Sequence, residues 1–188
     1  MKNYFIMHGT GANPYSNWFG WLFNKLNKDN EKCIVPQFPI NEDQNYKSWK
    51  KILQGYHDAG LINEGTIFIC HSLACVFVTR FIVEMRIKIT GIISVGGFNC
   101  ATENSCIENN SFLTKDKVIE KISNFVKFYH CIYSNNDPHF SLDNLEHFAD
   151  VVNAKKHMVE NAGHFDEVAG FKEFPYLWEL LDKINTIV

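Results

Sequence analysis

Three residue types that cooperate in nucleophilic catalysis occur in order along the chain. Ser72 lies in TIFICHSLACVF, where one apolar run passes into another without a Gly or Pro spacer. Asp137 lies in SNNDP and His164 in NAGHF. A histidine can remove the serine proton, and a carboxylate can hold that histidine in the required tautomer. The pattern predicts Ser72 as nucleophile, His164 as general base and Asp137 as the orienting acid.

The segment around Ser72 fits a nucleophile elbow, a sharp turn between a buried strand and a helix that exposes a serine hydroxyl. The motif is Gly-x-Ser-x-Gly, because small residues two positions before and after the serine let the turn close. Cys70 and Ala74 occupy those positions here. Helix capping by Ser72 is the alternative. In an elbow, the helix start would direct the Leu73 N–H at a developing oxyanion.

The loop HGTGANP, residues 8–14, follows the first apolar run. A dinucleotide-binding loop would carry a third Gly or Ala where Pro14 stands and would open a helix there, so the loop fails that test. We interpret it instead as the source of the second oxyanion-hole donor. The backbone N–H of Thr10 is the predicted donor, with Gly11 as the alternative.

Asp137 and His164 each have a structural alternative, an Asx-turn for the aspartate and an ordinary loop position for the histidine. The order Ser, acid, His nevertheless matches α/β-hydrolases and differs from chymotrypsin-like and subtilisin-like enzymes. His71 adjoins the nucleophile, but consecutive side chains point in different directions, so we expect a structural role for it.

The segment 96–113 is the candidate lid, and it is too short and too polar to form a deep hydrophobic tunnel. The expected pocket residues are His8, Gly11, His71, Phe98, Phe140 and Phe165.

Short apolar runs alternate with longer amphipathic segments, which predicts βαβ units and a parallel sheet covered by helices on both faces. The candidate nucleophile, acid and base all follow predicted strands, at the sheet edge where such folds bind ligands. Strands are predicted at 4–7, 32–36, 66–70, 91–95, 128–133 and 156–159. Helices are predicted near 17–28, 45–58, 73–87, 114–125, 139–151 and 173–186.

Composition restricts the class of protein. With 188 residues, 46% of them hydrophobic, we expect a single domain over 1–188. A net charge of −3 gives no basic surface for nucleic acid or an anionic membrane. Six cysteines without CxxC spacing suggest neither a zinc nor a redox motif, and no cofactor is implied. The N-terminal apolar run is too short for a signal peptide, so we expect a cytoplasmic location.

The motifs together resemble a known family, the small serine hydrolases related to the retinoblastoma-binding serine hydrolase and its bacterial relatives. The resemblance rests on residues 8–14 followed by Asn-Trp-Phe at 17–19, on His-Ser-Leu at 71–73, on SNNDP and on AGHF. It implies a minimal α/β-hydrolase fold with about six parallel strands and no large cap domain. The triad of the family falls on Ser72, Asp137 and His164.

The resemblance does not extend to retinoblastoma-protein binding, because the LxCxE motif is absent: Phe77 stands where glutamate is needed. The expected activity is hydrolysis of a small ester, thioester or amide through an acyl-enzyme. The alternatives are a catalytically idle scaffold that binds a ligand or protein on the same fold, and a nucleotide-binding α/β domain. Reactivity of Ser72 discriminates the hydrolase from the scaffold.

Overall fold

Six parallel strands form one sheet in the computed structural model, which describes residues 2–28, 31–99 and 110–186. The order across the sheet is β2-β1-β3-β4-β5-β6. The chain therefore places β2 on one side of β1 and then returns to place β3 on the other side. Such a reversal leaves a crevice at the carboxyl ends of β1 and β3. The strands are β1 (Asn3–Met7), β2 (Lys32–Ile34), β3 (Thr66–His71), β4 (Ile89–Val95), β5 (Val126–Ser134) and β6 (Lys155–Val159).

The helices cover both faces of the sheet, as the alternating pattern predicts. One predicted helix differs: the segment 114–125 divides into an α-helical turn and a 3₁₀ helix (Glu120–Asn124). Ile119 and Ile122 are both fully buried there, and side chains three residues apart align on a 3₁₀ helix. The α-helices are α1 (Phe19–Lys28), α2 (Tyr46–Asp58), α3 (Leu73–Met85), α4 (Asp116–Ile119), α5 (Leu142–Val151) and α6 (Pro175–Asn185).

Alternating strand residues divide the interior into two cores, one on each face. Phe5 and Phe68 point toward α2, α3 and α5, whereas Tyr4 and Ile67 point toward α1 and α6. Because β3 is buried along its whole length, it reads as a continuous apolar run rather than as an alternating one. The two cores therefore hold β3, and the residue that follows it, rigidly.

The ends of the helices are defined by local sequence signals. The side chain of Asn45 accepts a hydrogen bond from the Ser48 N–H at the start of α2, and Ser141 does the same for Asn144 at the start of α5. In the described ranges, the six strands form the sheet and the α-helices cover it, and no large cap domain stands above it. None of the helices in these ranges is long and apolar enough to cross a bilayer.

Candidate active site

Ser72 occupies the turn between β3 and α3 with a backbone conformation that few non-glycine residues adopt. Its φ is 57° and its ψ −127°. A strained residue of this kind costs about 1–3 kcal/mol and persists only where its surroundings enforce it. Within the described chain, the Ser72 side chain makes no capping hydrogen bond, which argues against the capping alternative. The turn therefore has the backbone geometry of the predicted elbow.

Close packing on both sides holds this turn in place. The Ser72 N–H donates to the Val95 carbonyl at 2.9 Å, which ties the elbow to β4. On the other side, a Cβ placed on Gly9 would lie only 2.7 Å from the Ser72 Cβ, so only glycine fits there. Cys70, which replaces the first glycine of the motif, is fully buried, and burial raises its thiol pKa well above the usual range. Cys70 therefore packs as a small apolar residue.

His164 and Asp137 form a buried, hydrogen-bonded pair. The His164 Nδ1–H donates to Asp137 Oδ2 at 2.6 Å, and the Asp137 side chain is 0% exposed. The backbone N–H groups of His139 and Phe140 donate to the other oxygen, Oδ1, at 2.8 and 3.2 Å. Burial by itself would raise the pKa of Asp137, but these hydrogen bonds, led by that of His164, hold it below its usual value. With Nδ1 protonated, Nε2 of a neutral His164 is free to accept a proton.

Asp166, the other carboxylate near the histidine in sequence, is engaged differently. Its Oδ1 accepts a hydrogen bond from the Ala169 N–H at 2.8 Å, within its own loop. It lines the cavity beside Ser72 but is not the hydrogen-bond partner of His164. The structure thus brings Asp137, and not Asp166, to the position expected of an orienting acid.

Three polar side chains before Asp137 fasten its loop to the loop of His164. Ser134, Asn135 and Asn136 accept hydrogen bonds from the consecutive backbone N–H groups of residues 161–163, at 2.8–3.0 Å. Ser134 Oγ also donates to Asn136 Oδ1 at 2.7 Å. Sequence reasoning missed this role, because Ser and Asn are common in loops. The signal was the uninterrupted run of three short acceptors directly before a candidate catalytic acid.

His71 forms a hydrogen bond to the backbone of the loop that carries His164, which fits the structural role expected for it. Its Nε2–H donates to the His164 carbonyl at 2.7 Å, and the two rings lie 4.9 Å apart. Burial, followed by the proximity of His164, lowers the pKa of His71 to about 4. His71 is therefore neutral near pH 7 and fixes the backbone of the candidate base.

The candidate oxyanion donors differ in whether their N–H groups are already occupied. The Gly11 N–H donates to Gln44 Oε1 at 3.2 Å. The Thr10 N–H has no hydrogen-bond partner among residues 2–28, 31–99 and 110–186, and Thr10 lines the same cavity as Ser72. Leu73 is the first residue of α3, so its N–H has no partner within the helix. The geometry favours Thr10 over Gly11 as the second donor.

A cavity of about 570 Å³ opens above Ser72 and His164. Four of the six predicted pocket residues line it, namely Gly11, His71, Phe98 and Phe140. The rings of Phe98 and Phe140 stack with centroids 3.9 Å apart and form an apolar wall. The lining also includes residues that the sequence did not single out: Ala12, Asn17, His139, Glu167 and Val168.

The structure corrects the assignment of two predicted pocket residues. Phe165 is 0% exposed and stacks on Phe174, with ring centroids 5.3 Å apart, so it belongs to the core. His8 is also 0% exposed, and its Nε2 accepts the Phe38 N–H at 3.0 Å. Both residues adjoin cavity residues in sequence, but their side chains point to the opposite side of the backbone.

Most of the candidate lid, residues 100–109, lies outside the described residues. At its start, Asn99 is buried and donates to the Thr114 carbonyl at 2.7 Å and to Asp116 Oδ1 at 2.8 Å.

Among the residues that the structure describes, there is no cluster of three or more His, Cys, Asp or Glu side chains that could hold a metal ion.

Comparisons with known proteins agree with this arrangement. The model of a family described as serine hydrolase matches residues 4–183. The Bacillus subtilis protein YdeN is 27% identical over 183 residues, covering 96% of this chain and 94% of its own. The crystal structure of the B. subtilis ydeN gene product superposes with a TM-score of 0.87 at 24% identity, covering 99% of this chain and 100% of that one.

More distant solved structures share the fold. The serine hydrolase CCSP0084 from Cycloclasticus zankles has a TM-score of 0.72 at 13% identity, covering 97% of this chain and 90% of its own. A structure from Nitrososphaera gargenis, described among carboxylesterases, has a TM-score of 0.73 at 9% identity, covering 99% and 90%. At such identities the likeness concerns the fold alone, and it supports an α/β-hydrolase fold.

Proposed function

Because the chain belongs to the serine hydrolase family, we propose that it hydrolyses small ester, thioester or amide substrates through an acyl-enzyme on Ser72. One observation carries the proposal. His164, joined to the buried Asp137 by a 2.6 Å hydrogen bond, lines the same cavity as Ser72, which is held at a φ of 57°. No cofactor is required for this chemistry.

The proposed reaction has two steps. His164 Nε2 takes the Ser72 proton as Oγ attacks the substrate carbonyl, and the N–H groups of Leu73 and Thr10 stabilise the oxyanion. The imidazolium then protonates the leaving group as the carbon–heteroatom bond breaks. A water molecule, deprotonated by His164, releases the acyl group and restores Ser72. Asp137 keeps Nδ1 protonated throughout, so that Nε2 remains the acceptor.

The cavity supports a preference for short acyl groups. The cavity has a volume of about 570 Å³, and among the residues that the structure describes its apolar wall consists chiefly of the Phe98–Phe140 stack. Each methylene buried in an apolar pocket contributes about 0.8 kcal/mol, so an acyl chain that extends beyond this wall gains little. Acetyl to butyryl p-nitrophenyl esters should show a higher kcat/KM than the dodecanoyl ester. The opposite ranking would refute the shallow-site proposal.

Labelling with a fluorophosphonate tests the nucleophile. Wild-type protein should acquire one label, on Ser72, and Ser72→Ala should abolish labelling and lower kcat by about 10⁴ to 10⁶. Ser94→Ala is the matched control, because Ser94 is a buried serine of β4 that does not line the cavity. It should retain the label.

The same experiment separates the enzyme from a catalytically idle binding module. A folded protein that takes no label and turns over no ester in the acetyl to dodecanoyl series would favour the binding module. Labelling that persists in Ser72→Ala would refute the assignment of the nucleophile, while leaving the family and fold unaffected.

A further inference from the structure

The buried imidazole of His8 is hydrogen-bonded at both ring nitrogens, directly beside the loop that carries the candidate oxyanion donor. Nδ1 lies 3.0 Å from the Gly9 carbonyl oxygen, and the Phe38 N–H points at Nε2 over 3.0 Å. A carbonyl can only accept and an amide N–H can only donate, so a single form of the ring satisfies both contacts. His8 is the neutral Nδ1–H tautomer.

The surroundings of His8 hold this tautomer and its orientation. The side chain is 0% exposed and lies against the rings of Phe38 and Trp49, each with its centroid 5.5 Å away. Burial lowers the pKa of His8, and the hydrogen bond to Gly9 opposes that effect only in part. The ring therefore stays neutral near pH 7, with one donor and one acceptor in fixed positions.

The hydrogen bond to Gly9 sets the direction of the next N–H group. The Gly9 carbonyl and the Thr10 N–H belong to one peptide unit, and the described chain contains no cis peptide bond. In a trans peptide the C=O and N–H bonds point in opposite directions. Because His8 holds the carbonyl on the core side, the Thr10 N–H is directed to the other side. That side is the cavity that Thr10 and Ser72 both line.

The remaining contacts of this loop leave the peptide orientation largely to His8. The Ala12 N–H also approaches the Gly9 carbonyl, but at 3.5 Å, which is long for such a bond. Gly11, at a φ of 64°, completes the turn, and Gln44 engages its N–H rather than that of Thr10. The shorter and better-buried of the two hydrogen bonds to the Gly9 carbonyl is the one from His8.

We propose that His8 is a positioning residue, which orients the Gly9–Thr10 peptide so that the Thr10 N–H stabilises the oxyanion formed at Ser72. The inference rests on the proposed hydrolase function. It explains why the first residue of this loop is a histidine although its side chain does not line the cavity. It also assigns separate roles to the two ring nitrogens: Nδ1 acts on the oxyanion donor, and Nε2 anchors the ring to Phe38.

Two substitutions separate these roles. The side-chain nitrogen of asparagine reaches about as far as Nδ1 of histidine, so His8→Asn can still donate to the Gly9 carbonyl. The side-chain oxygen of glutamine reaches about as far as Nε2, so His8→Gln can still accept from Phe38. Each variant loses one hydrogen bond and part of the ring. Urea denaturation should give similar losses of stability for the two variants.

Turnover of p-nitrophenyl acetate should distinguish them. His8→Gln should lower kcat by about 10²-fold with KM within about twofold, because loss of one oxyanion donor affects the transition state. His8→Asn should keep kcat within about threefold of wild type. Rates are normalised to the Ser72 sites titrated by a fluorophosphonate, so that a partly unfolded preparation does not resemble a slow enzyme. Equal losses of kcat in the two variants would overturn the inference.

Thr10→Pro supplies an independent test, because proline has no N–H and is favoured at the second position of a turn. It should lower kcat as much as His8→Gln does. If His8 acts through this N–H, adding His8→Gln to Thr10→Pro should lower kcat no further. Should His8→Gln fail to fold, His8→Met, which removes both hydrogen bonds, replaces it in this cycle.

The outcomes for the two proposals are distinguishable. Absence of Ser72-dependent turnover in the wild type would refute the proposed function, and the inference would fall with it. Normal wild-type turnover combined with additive losses in the double variant would refute the role of His8 alone. Non-additive losses together with an active His8→Asn would support both.

Discussion

The neutral, buried His71 should make the protein measurably less stable in weak acid. The residue is 4% exposed and its imidazole has a pKa of about 4, whereas an unfolded chain has an ordinary histidine pKa near 6.5. Below pH 6.5 the unfolded chain therefore binds a proton that the folded protein excludes. The free energy of unfolding should fall as the pH decreases from about 6.5 toward 4, and the contribution is fully present only above this range.

The size of the effect follows from the two pKa values. Their difference, about 2.5 units, corresponds to about 3 kcal/mol once the pH lies below both values. Between pH 7 and pH 5 the contribution of His71 that is lost is about 2 kcal/mol. His8, His130 and His157 also have lowered pKa values because they are buried, so each adds to the loss in the same direction.

Urea denaturation at pH 7 and pH 5 measures this quantity. The test variant is His71→Gln, whose side-chain N–H can still donate to the His164 carbonyl but does not titrate. Its loss of stability between the two pH values should be about 2 kcal/mol smaller than that of wild type. The control is Phe19→Leu, because Phe19 packs on His71 at 5.9 Å and its replacement should destabilise equally at both pH values. Equal pH dependence in His71→Gln and wild type would refute the reasoning.

Two further predictions concern catalysis. Asp137→Asn should lower turnover by about 10⁴, the effect of the equivalent change in a well-studied triad, whereas Asp166→Asn should change it only a few-fold. The reverse ranking in folded variants would exclude Asp137 as the acid. Gly9→Ala should lower kcat by about 10², because the new Cβ would lie 2.7 Å from the Ser72 Cβ and displace the nucleophile. Gly20→Ala, with nothing within 4 Å, is its control and should keep full activity.

Much of the fold could be predicted because its signals are local. Each of the six strands overlaps a predicted one. The signal is clearest for β1, β3 and β4, because strands buried on both faces form continuous apolar runs without alternation. The elbow was also predictable, because Ser72 sits between two such apolar segments. The order Ser72, Asp137, His164 then followed from which residue stands at the end of each strand. These inferences require only the sequence near each strand end.

Side-chain direction within the loops could not be predicted in the same way. His8 and Thr10 are two residues apart, yet one is fully buried and the other is exposed at the cavity. Phe165 has a φ of 56°, in the left-handed region. At this turn its side chain points into the core, although that of the preceding residue, His164, lines the cavity. Periodicity describes regular elements and carries no information about such turns. The assignments of His8 and Phe165 to the pocket were wrong for this reason.

The contacts that assemble the candidate site join residues far apart in the chain. Asn17 and Glu167 exchange hydrogen bonds, each backbone N–H donating to the side chain of the other at 3.0 and 3.1 Å, across 150 positions. This pair joins the loop after β1 to the loop after β6, and the contacts of residues 134–136 join the latter to the loop after β5. Side-chain acceptors thus capture backbone N–H groups that have no strand or helix partner. These three loops are therefore fastened to one another and not only to their own strands. The placement of His164 relative to Asp137 and to the loop after β1 thus depends on contacts that no single sequence window contains.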